Sequence, residues 1–258
     1  MIDNLKYYLD DKVERYNRKQ FVDSDPVQFP HAFSERRDVE IAALFASVIA
    51  WGNRRMIINS GNRIFRDIMH GEPYEYVMRG EWESADGTAN IHRTFFVRDF
   101  AYICRGLRSI YSAYDTMERI FDTEDTWSGI AAFRTALAEA NGSATTRHIS
   151  DPVGGKGRAA SACKRMHMML RWLVRRDGIV DLGIWRNISP SKLMIPLDVH
   201  VARISRELGL LRRKQNDRKS VEELTAVLRG FSPDDPVKYD FALFGVGVEE
   251  KNTKNNIQ

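Results

Sequence analysis

Apolar residues recur along almost the whole chain with a period near 3.6 residues, the pattern of amphipathic helices. Alternating runs of β-branched residues are scarce, and residues 71–91 have the composition of loops with one short helix. The pattern predicts an all-α protein of ten or eleven helices. The main predicted helices are 2–18, 37–51, 54–69, 95–121 with an interruption near Gly106, 127–140, 159–176, 198–208, 220–229 and a last one from Pro233 or Pro236 through Phe244, stopped by Gly245 and Gly247.

The charge of the chain is unevenly distributed. Its 258 residues carry a formal net charge of +4, with 43% hydrophobic and 29% charged residues, as in ordinary globular proteins. Between residues 147 and 177 eight Lys and Arg face two acids: Arg147, Lys156, Arg158, Lys164, Arg165, Arg171, Arg175 and Arg176 against Asp151 and Asp177. A phosphate backbone would relieve the repulsion within such a basic segment. The alternative is that the segment is a basic helix face in contact with solvent.

Several classes of site are excluded. The two cysteines, Cys104 and Cys163, are too few for a four-thiolate zinc or iron–sulfur centre, and buried thiols in a reducing compartment are expected. The Gly-Gly-Lys-Gly at 154–157 lacks the Ser or Thr that a nucleotide-binding loop needs. We expect no metal and no cofactor. The charged N-terminal segment and the absence of an 18-residue apolar run predict a cytoplasmic protein without a membrane span.

The most specific segment is IPLDVHVARISRELGL, residues 195–210. It resembles the helix-hairpin-helix (HhH-GPD) DNA glycosylase superfamily at eight ordered positions: Asp198, His200, Val201, Arg203, Ile204, Arg206, Leu208 and Gly209. The segments EIAALFASVIAWGNRR (40–55) and DPVKYDFALFGVG (235–247) are similar to two further parts of that superfamily. Overall the chain is similar to an uncharacterised, DUF2400-like bacterial branch and to the archaeal 8-oxoguanine glycosylases.

The resemblance implies two helical subdomains with a DNA-binding cleft between them. Residues 40–184 would form the central one, with a hairpin-like motif, and residues 1–39 would join 185–258 in the other. It implies that Asp198 is catalytic, at the start of a helix where the amide dipole favours a carboxylate. The superfamily's lysine usually precedes the Asp by about 18 residues, but Val180 stands there. Lys164 lies 34 residues before Asp198, close to the longer archaeal spacing, and Lys156 is the fallback.

The residues expected to touch DNA come from three segments. The stretch DPVGGKGRAASACKR departs from the usual hairpin motif but keeps glycines that could offer backbone N–H groups to phosphate. The DNA contacts that the resemblance implies are Asn53, Arg54, Arg55, Gly155, Lys156, Gly157, Arg158, Arg165, Arg171 and His200. Candidates for lining a pocket for the extruded base are Trp51, Trp172, Trp185, His167 and Phe96.

The implied activity is excision of a damaged base such as 8-oxoguanine from double-stranded DNA by a monomer, with strand cleavage by β-elimination. Asp198 would stabilise positive charge on the sugar, and a neutral Lys164 amine would attack it. Burial and the positive charge of Arg165 and Arg171 would favour the neutral amine. The alternatives are a nucleic-acid-binding protein that cuts no bond and a helical interaction protein. Asp198 would then be a plain N-cap and Lys164 a solvated lysine.

Overall fold

The protein is mostly helical, as the periodicity predicts. The computed structural model describes residues 2–155, 157 and 159–255, with side chains for 4–155, 157 and 159–250. The α-helices of this part are α1 (Ile2–Tyr16), α2 (Lys19–Ser24), α3 (Gln28–His31), α4 (Arg36–Ile49), α5 (Arg54–Asn62), α6 (Pro73–Arg79), α7 (Val97–Ala113), α8 (Glu118–Phe121), α9 (Thr126–Ala140), α10 (Lys164–Val174), α11 (Val199–Glu207), α12 (Arg218–Phe231) and α13 (Tyr239–Asn255). A π-helix, Arg63–Ile68, continues α5.

A small β-hairpin lies in the segment that the sequence pattern assigns to loops. Strands β1 (Asn90–His92) and β2 (Phe95–Phe96) pair antiparallel, with Asn90 opposite Phe96 and His92 opposite Phe95. Arg93 begins the turn with φ of 51°, in the left-handed region. Strands of two or three residues are too short to show an alternating pattern, which is why the sequence did not predict them.

The chain forms two compact units. The terminal unit comprises Met1–Phe21 and Pro152–Gln258, and the central unit comprises Val22–Asp151. These boundaries differ from the predicted ones at 39/40 and 184/185. Helix α10 belongs to the terminal unit because the chain after it folds back onto its last turn, where the N–H groups of Leu182 and Trp185 donate to the carbonyls of Trp172 and Leu173.

Helix α13 is longer than predicted, and its glycines have a packing role. A Cβ on Gly245 would lie 2.4 Å from the ring of Tyr16 in α1, and one on Gly247 would lie 2.8 Å from Cβ of His200 in α11. The two glycines therefore do not stop the helix. They let α13 approach α1 and α11 closely within the terminal unit, and α13 continues to Asn255.

In the central unit, α7 runs without interruption through Gly106, where a break was predicted. A Cβ there would lie 2.0 Å from Cδ2 and 3.1 Å from Cα of Leu137 in α9. Gly106 thus marks a close helix crossing.

Glu40 is fully buried in α4 and accepts hydrogen bonds from the hydroxyl of Tyr111 and the backbone N–H of Met117.

Gly106→Ala should destabilise the protein even though alanine favours helix, because the added methyl meets the backbone of Leu137. We expect a loss of about 1–3 kcal/mol in the free energy of unfolding, measured by denaturant titration. The matched control is Gly230→Ala in α12, where no atom lies within 4 Å of the added Cβ. That variant should be neutral or more stable by up to about 1 kcal/mol. Equal effects of the two substitutions would contradict the packing role of Gly106.

Candidate active site

Asp198 is the N-cap of α11. Its backbone is extended, and its Oδ1 accepts a hydrogen bond of 2.8 Å from the backbone N–H of Val201. The cap satisfies one of the free amides of the first turn, and the helix dipole favours negative charge there. The cap fixes the orientation of the carboxylate and leaves its second oxygen available.

Lys164 meets that second oxygen. Its Nζ lies 3.6 Å from Oδ2 of Asp198, and both residues belong to the terminal unit. The Lys164 side chain is 34% exposed, whereas that of Asp198 is 9% exposed. The structure therefore brings together the two residues that the sequence singles out, as an amine that solvent can reach beside a carboxylate that is largely shielded from it.

The backbone just before Lys164 is strained. Cys163 is buried and has φ of 45°, a left-handed conformation that a residue with a side chain adopts only at a cost. Lys164 is the first residue of α10, so this residue sets the direction in which α10 starts. Such strain persists only where the surrounding structure imposes it, and here it lies next to the candidate catalytic lysine.

Arg171 lies two helical turns after Lys164 in α10, within a network of buried ion pairs. Its Nε donates to Asp181 at 3.2 Å, its Nη1 donates to Asp240, and its guanidinium lies 4.3 Å from the ring centre of Phe241. Arg171 is only 4% exposed. The expectation that Arg171 contacts DNA is therefore corrected, because its guanidinium is held inside the terminal unit by two carboxylates.

Several of the ionic groups near Lys164 are carboxylates. The pKa of Asp240 is raised to about 6: burial is the largest cause, the negative charges of Asp198 and Asp181 also raise it, and Arg171 and Lys164 lower it. Burial likewise raises the pKa of Asp181. Asp240 is thus within electrostatic range of both candidate catalytic groups and changes charge near neutral pH. The surroundings of Lys164 are more acidic than the predicted cluster of Lys164, Arg165 and Arg171.

Sequence reasoning missed Asp181 and Asp240. The available signal for Asp240 is a single acid between the aromatic residues Tyr239 and Phe241, at the start of a helix that is otherwise apolar up to Gly247. A carboxylate in such a position is buried, and a buried carboxylate needs a partner. The identity of that partner, Arg171, could not be read from the sequence.

The glycine-rich segment does not form the expected helix-hairpin-helix. No helix occurs between α9 and α10 in the residues described there, and α10 begins seven positions after Gly157. Gly155 and Gly157 adopt φ values of 127° and 80°. Their N–H groups therefore lie in a loop and not at a helix N-terminus. Lys156 and Arg158 lie outside the described residues.

The other predicted contacts are divided between the two units. In the terminal unit Arg165 is half-buried, and burial lowers its pKa. His200 packs edge-on against Phe244 with ring centres 6.1 Å apart. In the central unit Asn53 caps α5, with Oδ1 accepting from the N–H of Arg55 at 2.9 Å, and Arg54 lies 3.5 Å from Asp25.

Most of the aromatic residues proposed for a base pocket are core residues. Trp172, Trp185 and His167 are at most 1% exposed, and burial lowers the pKa of His167 to about 3, so its imidazole is neutral. Trp51 and Phe96 are half-buried and lie in the central unit. A cavity of about 360 Å³ opens at the far end of α10, and its lining does not include Lys164 or Asp198. It is lined by Val174, Arg175, Arg176, Arg186, Ile188, Ser189, Pro190, Asp234 and Asp235.

The chain matches a protein family, and its described residues contain neither a membrane-spanning helix nor a metal-binding cluster. Within the described residues no helix has the length and apolar character to cross a membrane, and no group of three His, Cys, Asp or Glu could hold a metal ion. The model of a family described as "Protein of unknown function (DUF2400)" matches residues 25–249, which confirms the predicted resemblance to that family. No curated protein and no solved structure matches the chain.

The two roles of Asp198 can be separated by substitution. Asp198→Asn keeps a side-chain oxygen for the cap, so its stability should stay close to that of the wild type. Asp198→Ala removes the acceptor for the N–H of Val201 and should cost about 1 kcal/mol in the free energy of unfolding. Denaturant titration of the two variants at one pH measures this. Equal losses in both would show that the charge, and not the cap, carries the stabilisation.

Asp240 makes stability depend on pH with a definite sign. Its folded pKa of about 6 lies above the ordinary value of 3.8, so the folded state holds this proton more tightly. The stabilisation of the folded state by this bound proton is fully present below pH 3.8, the ordinary pKa, and is lost as the pH rises through the folded pKa of about 6. Asp240→Asn is neutral at every pH, so it should gain stability relative to the wild type between roughly pH 4 and pH 7, by up to about 3 kcal/mol.

The measurement is the difference in unfolding free energy between Asp240→Asn and the wild type at several pH values, since the remaining groups titrate in both. Asp234→Asn, which removes an exposed carboxylate from the same unit, is the control. A difference for Asp240→Asn that does not change with pH would show that this carboxyl has no raised pKa.

Proposed function

The chain belongs to the family described as "Protein of unknown function (DUF2400)". From its own residues we propose that it is a DNA base-excision glycosylase with an associated lyase activity, which uses a lysine and an aspartate as the helix-hairpin-helix superfamily does but lacks the hairpin motif in the described part of the chain. The observation that carries the proposal is the contact between Nζ of Lys164 and Oδ2 of Asp198 at 3.6 Å. An amine and a carboxylate at the starts of two helices are the groups that this chemistry requires.

Each group has a defined task. As the N-glycosidic bond breaks, its electron pair leaves with the base, which takes up a proton, and positive charge develops on the sugar. The Asp198 carboxylate, ionised at a helix start, stabilises that charge. Lys164, paired with Asp198 as an ammonium, gives a proton to the departing base, and the lone pair of the resulting neutral amine forms the new bond to C1′. The amine then passes its second proton to the Asp198 carboxylate. Opening of the sugar ring gives an imine, loss of a C2′ proton follows, and the 3′ phosphate leaves.

Exposure fits these tasks. Lys164, at 34%, is accessible to a nucleotide that has been extruded from the duplex, while Asp198, at 9%, keeps most of its carboxylate away from water. Electrostatic stabilisation is stronger where water is excluded. We propose double-stranded DNA with an oxidised base, such as 8-oxoguanine, as the substrate of a cytoplasmic monomer. The support for that choice is the spacing of 34 residues between the two groups, similar to the archaeal branch.

The test is borohydride trapping on a panel of duplexes that carry single lesions. Borohydride reduces the imine, so the wild type should form a covalent protein–DNA adduct on at least one lesion. Lys164→Ala should form none. The control Lys219→Ala removes an exposed lysine from the same unit and should trap like the wild type. Asp198→Asn should retain its fold and lose at least about 100-fold in the rate of base release.

Base release is measured alongside trapping, because an enzyme that uses only Asp198 and water would form no imine. Base release without trapping would remove the lyase activity and keep the glycosylase. Binding to DNA without either reaction, on every lesion tested, would leave the rival function, a nucleic-acid-binding protein that cuts no bond. An adduct that persists in Lys164→Ala would assign the amine to another residue.

A further inference from the structure

We propose that the central unit carries a second DNA-contacting surface, formed by Arg63 and Arg93 beside Trp51, which binds the phosphate backbone of duplex DNA. We call it the hairpin surface, because Arg93 stands at the turn between β1 and β2. The choice of DNA as the ligand rests on the proposed function. Neither Arg63 nor Arg93 lies in the segments that resemble the glycosylase superfamily, so the surface is defined by the fold of the central unit.

Arg93 is held in place by its neighbours. Its guanidinium carbon lies 4.9 Å from the ring centre of Trp51, a cation–π contact at an exposed position. Gly52 has φ of 98°, and a Cβ on it would lie 2.6 Å from Nη1 of Arg93. The guanidinium therefore packs against the backbone of Gly52, and Arg93 is exposed to solvent.

Trp51 is itself fixed from the other side. The ring of His92 meets it edge-on at 5.3 Å, the Nε2–H of His92 donates to the Trp51 carbonyl at 2.9 Å, and its Nδ1 accepts from the hydroxyl of Ser60 at 2.9 Å. His92 is buried, and burial lowers its pKa, which favours the neutral imidazole that one hydrogen bond at each ring nitrogen requires. The buried imidazole thus connects the β-hairpin to α5 and to the turn that carries Trp51.

Arg63 joins the same surface through Asn90. Its Nη1 donates to the Asn90 carbonyl at 2.6 Å, and the Asn90 amide donates to the Arg93 carbonyl at 2.5 Å. A backbone carbonyl orients a guanidinium but does not neutralise it. Arg63 therefore keeps its positive charge, and Asn90 connects it to the backbone of Arg93.

Positive charge exceeds negative charge on this surface, and Asp67, an acid that interacts with Arg63, is hydrogen-bonded to Arg66. Residues 51–63 and 90–98 contain five arginines and no acid. Among the described residues, a carboxylate reaches only Arg54, from Asp25 at 3.5 Å, and no ion pair reaches the exposed Arg55, Arg63 or Arg93. Elsewhere in the same unit arginines are paired: Arg79 lies near Glu72, Glu75 and Glu81. Clustered arginines without acids repel each other, and phosphates along a backbone relieve that repulsion by releasing counterions.

The experiment measures the salt dependence of binding to undamaged duplex DNA. Arg93→Asn removes the charge and keeps a residue that tolerates the left-handed turn, and Arg63→Gln removes the second charge. Each variant should lower the slope of log affinity against log salt by about one, so the loss of affinity between about 50 mM and about 200 mM salt shrinks by about 3.5-fold. Arg79→Gln is the matched control, since its charge is already neutralised, and circular dichroism checks that all variants fold.

Slopes of Arg93→Asn and Arg63→Gln that equal that of Arg79→Gln would overturn the hairpin surface, even if trapping through Lys164 succeeds. Reduced slopes together with no trapping on any lesion would remove the lyase and leave the surface standing. A wild-type chain that does not bind duplex at low salt would overturn the surface directly. The binding and trapping measurements therefore judge the two proposals separately.

Discussion

The buried ion pairs of Arg171 determine how the candidate site is assembled. One guanidinium on α10 binds Asp181 on the connection after that helix and Asp240 on α13. Helix α13 in turn packs against α11 through Gly247 and His200. The starts of α10 and α11 therefore have fixed positions within the terminal unit, and Lys164 meets Asp198. Removing Arg171 would leave Asp240 buried without this ion-pair partner and Asp181 with Arg175 alone, at a cost of about 3–5 kcal/mol.

The two oxygens of Asp198 allow the residue to be a helix cap and a candidate catalytic group at the same time. Oδ1 caps α11 through the N–H of Val201, and Oδ2 faces Lys164. The cap holds the carboxylate in one rotamer, and a catalytic carboxylate has to be held before the reaction starts. A residue that caps a helix can therefore also be a good candidate for catalysis. Only a comparison of Asp198→Asn with Asp198→Ala separates the two contributions.

What the sequence predicts well is local. Periodicity locates most helices, and the proline and aspartate before Val199 indicate where α11 starts. The sequence fails where a residue's role depends on a distant partner. Gly106 and Gly245 look like helix breakers, yet each admits a neighbouring helix. The contact between Lys164 and Asp198 was expected from the family resemblance, and no periodicity could have predicted a distance between residues 34 positions apart.

The distribution of charge shows the same limit and changes which surface is the best candidate for DNA. Counted along the chain, residues 147–177 look strongly basic, but in the fold acids from later segments reach them. Arg171 is paired with Asp181 and Asp240, and Arg175 with Asp181 and Asp235. Residues 51–63 attract no attention in a linear count, yet the β-hairpin adds Arg93 to them without adding an acid. Phosphate binding depends on positive charge that remains without an ion pair after folding. The described arginines around the β-hairpin of the central unit have more such charge than those of α10.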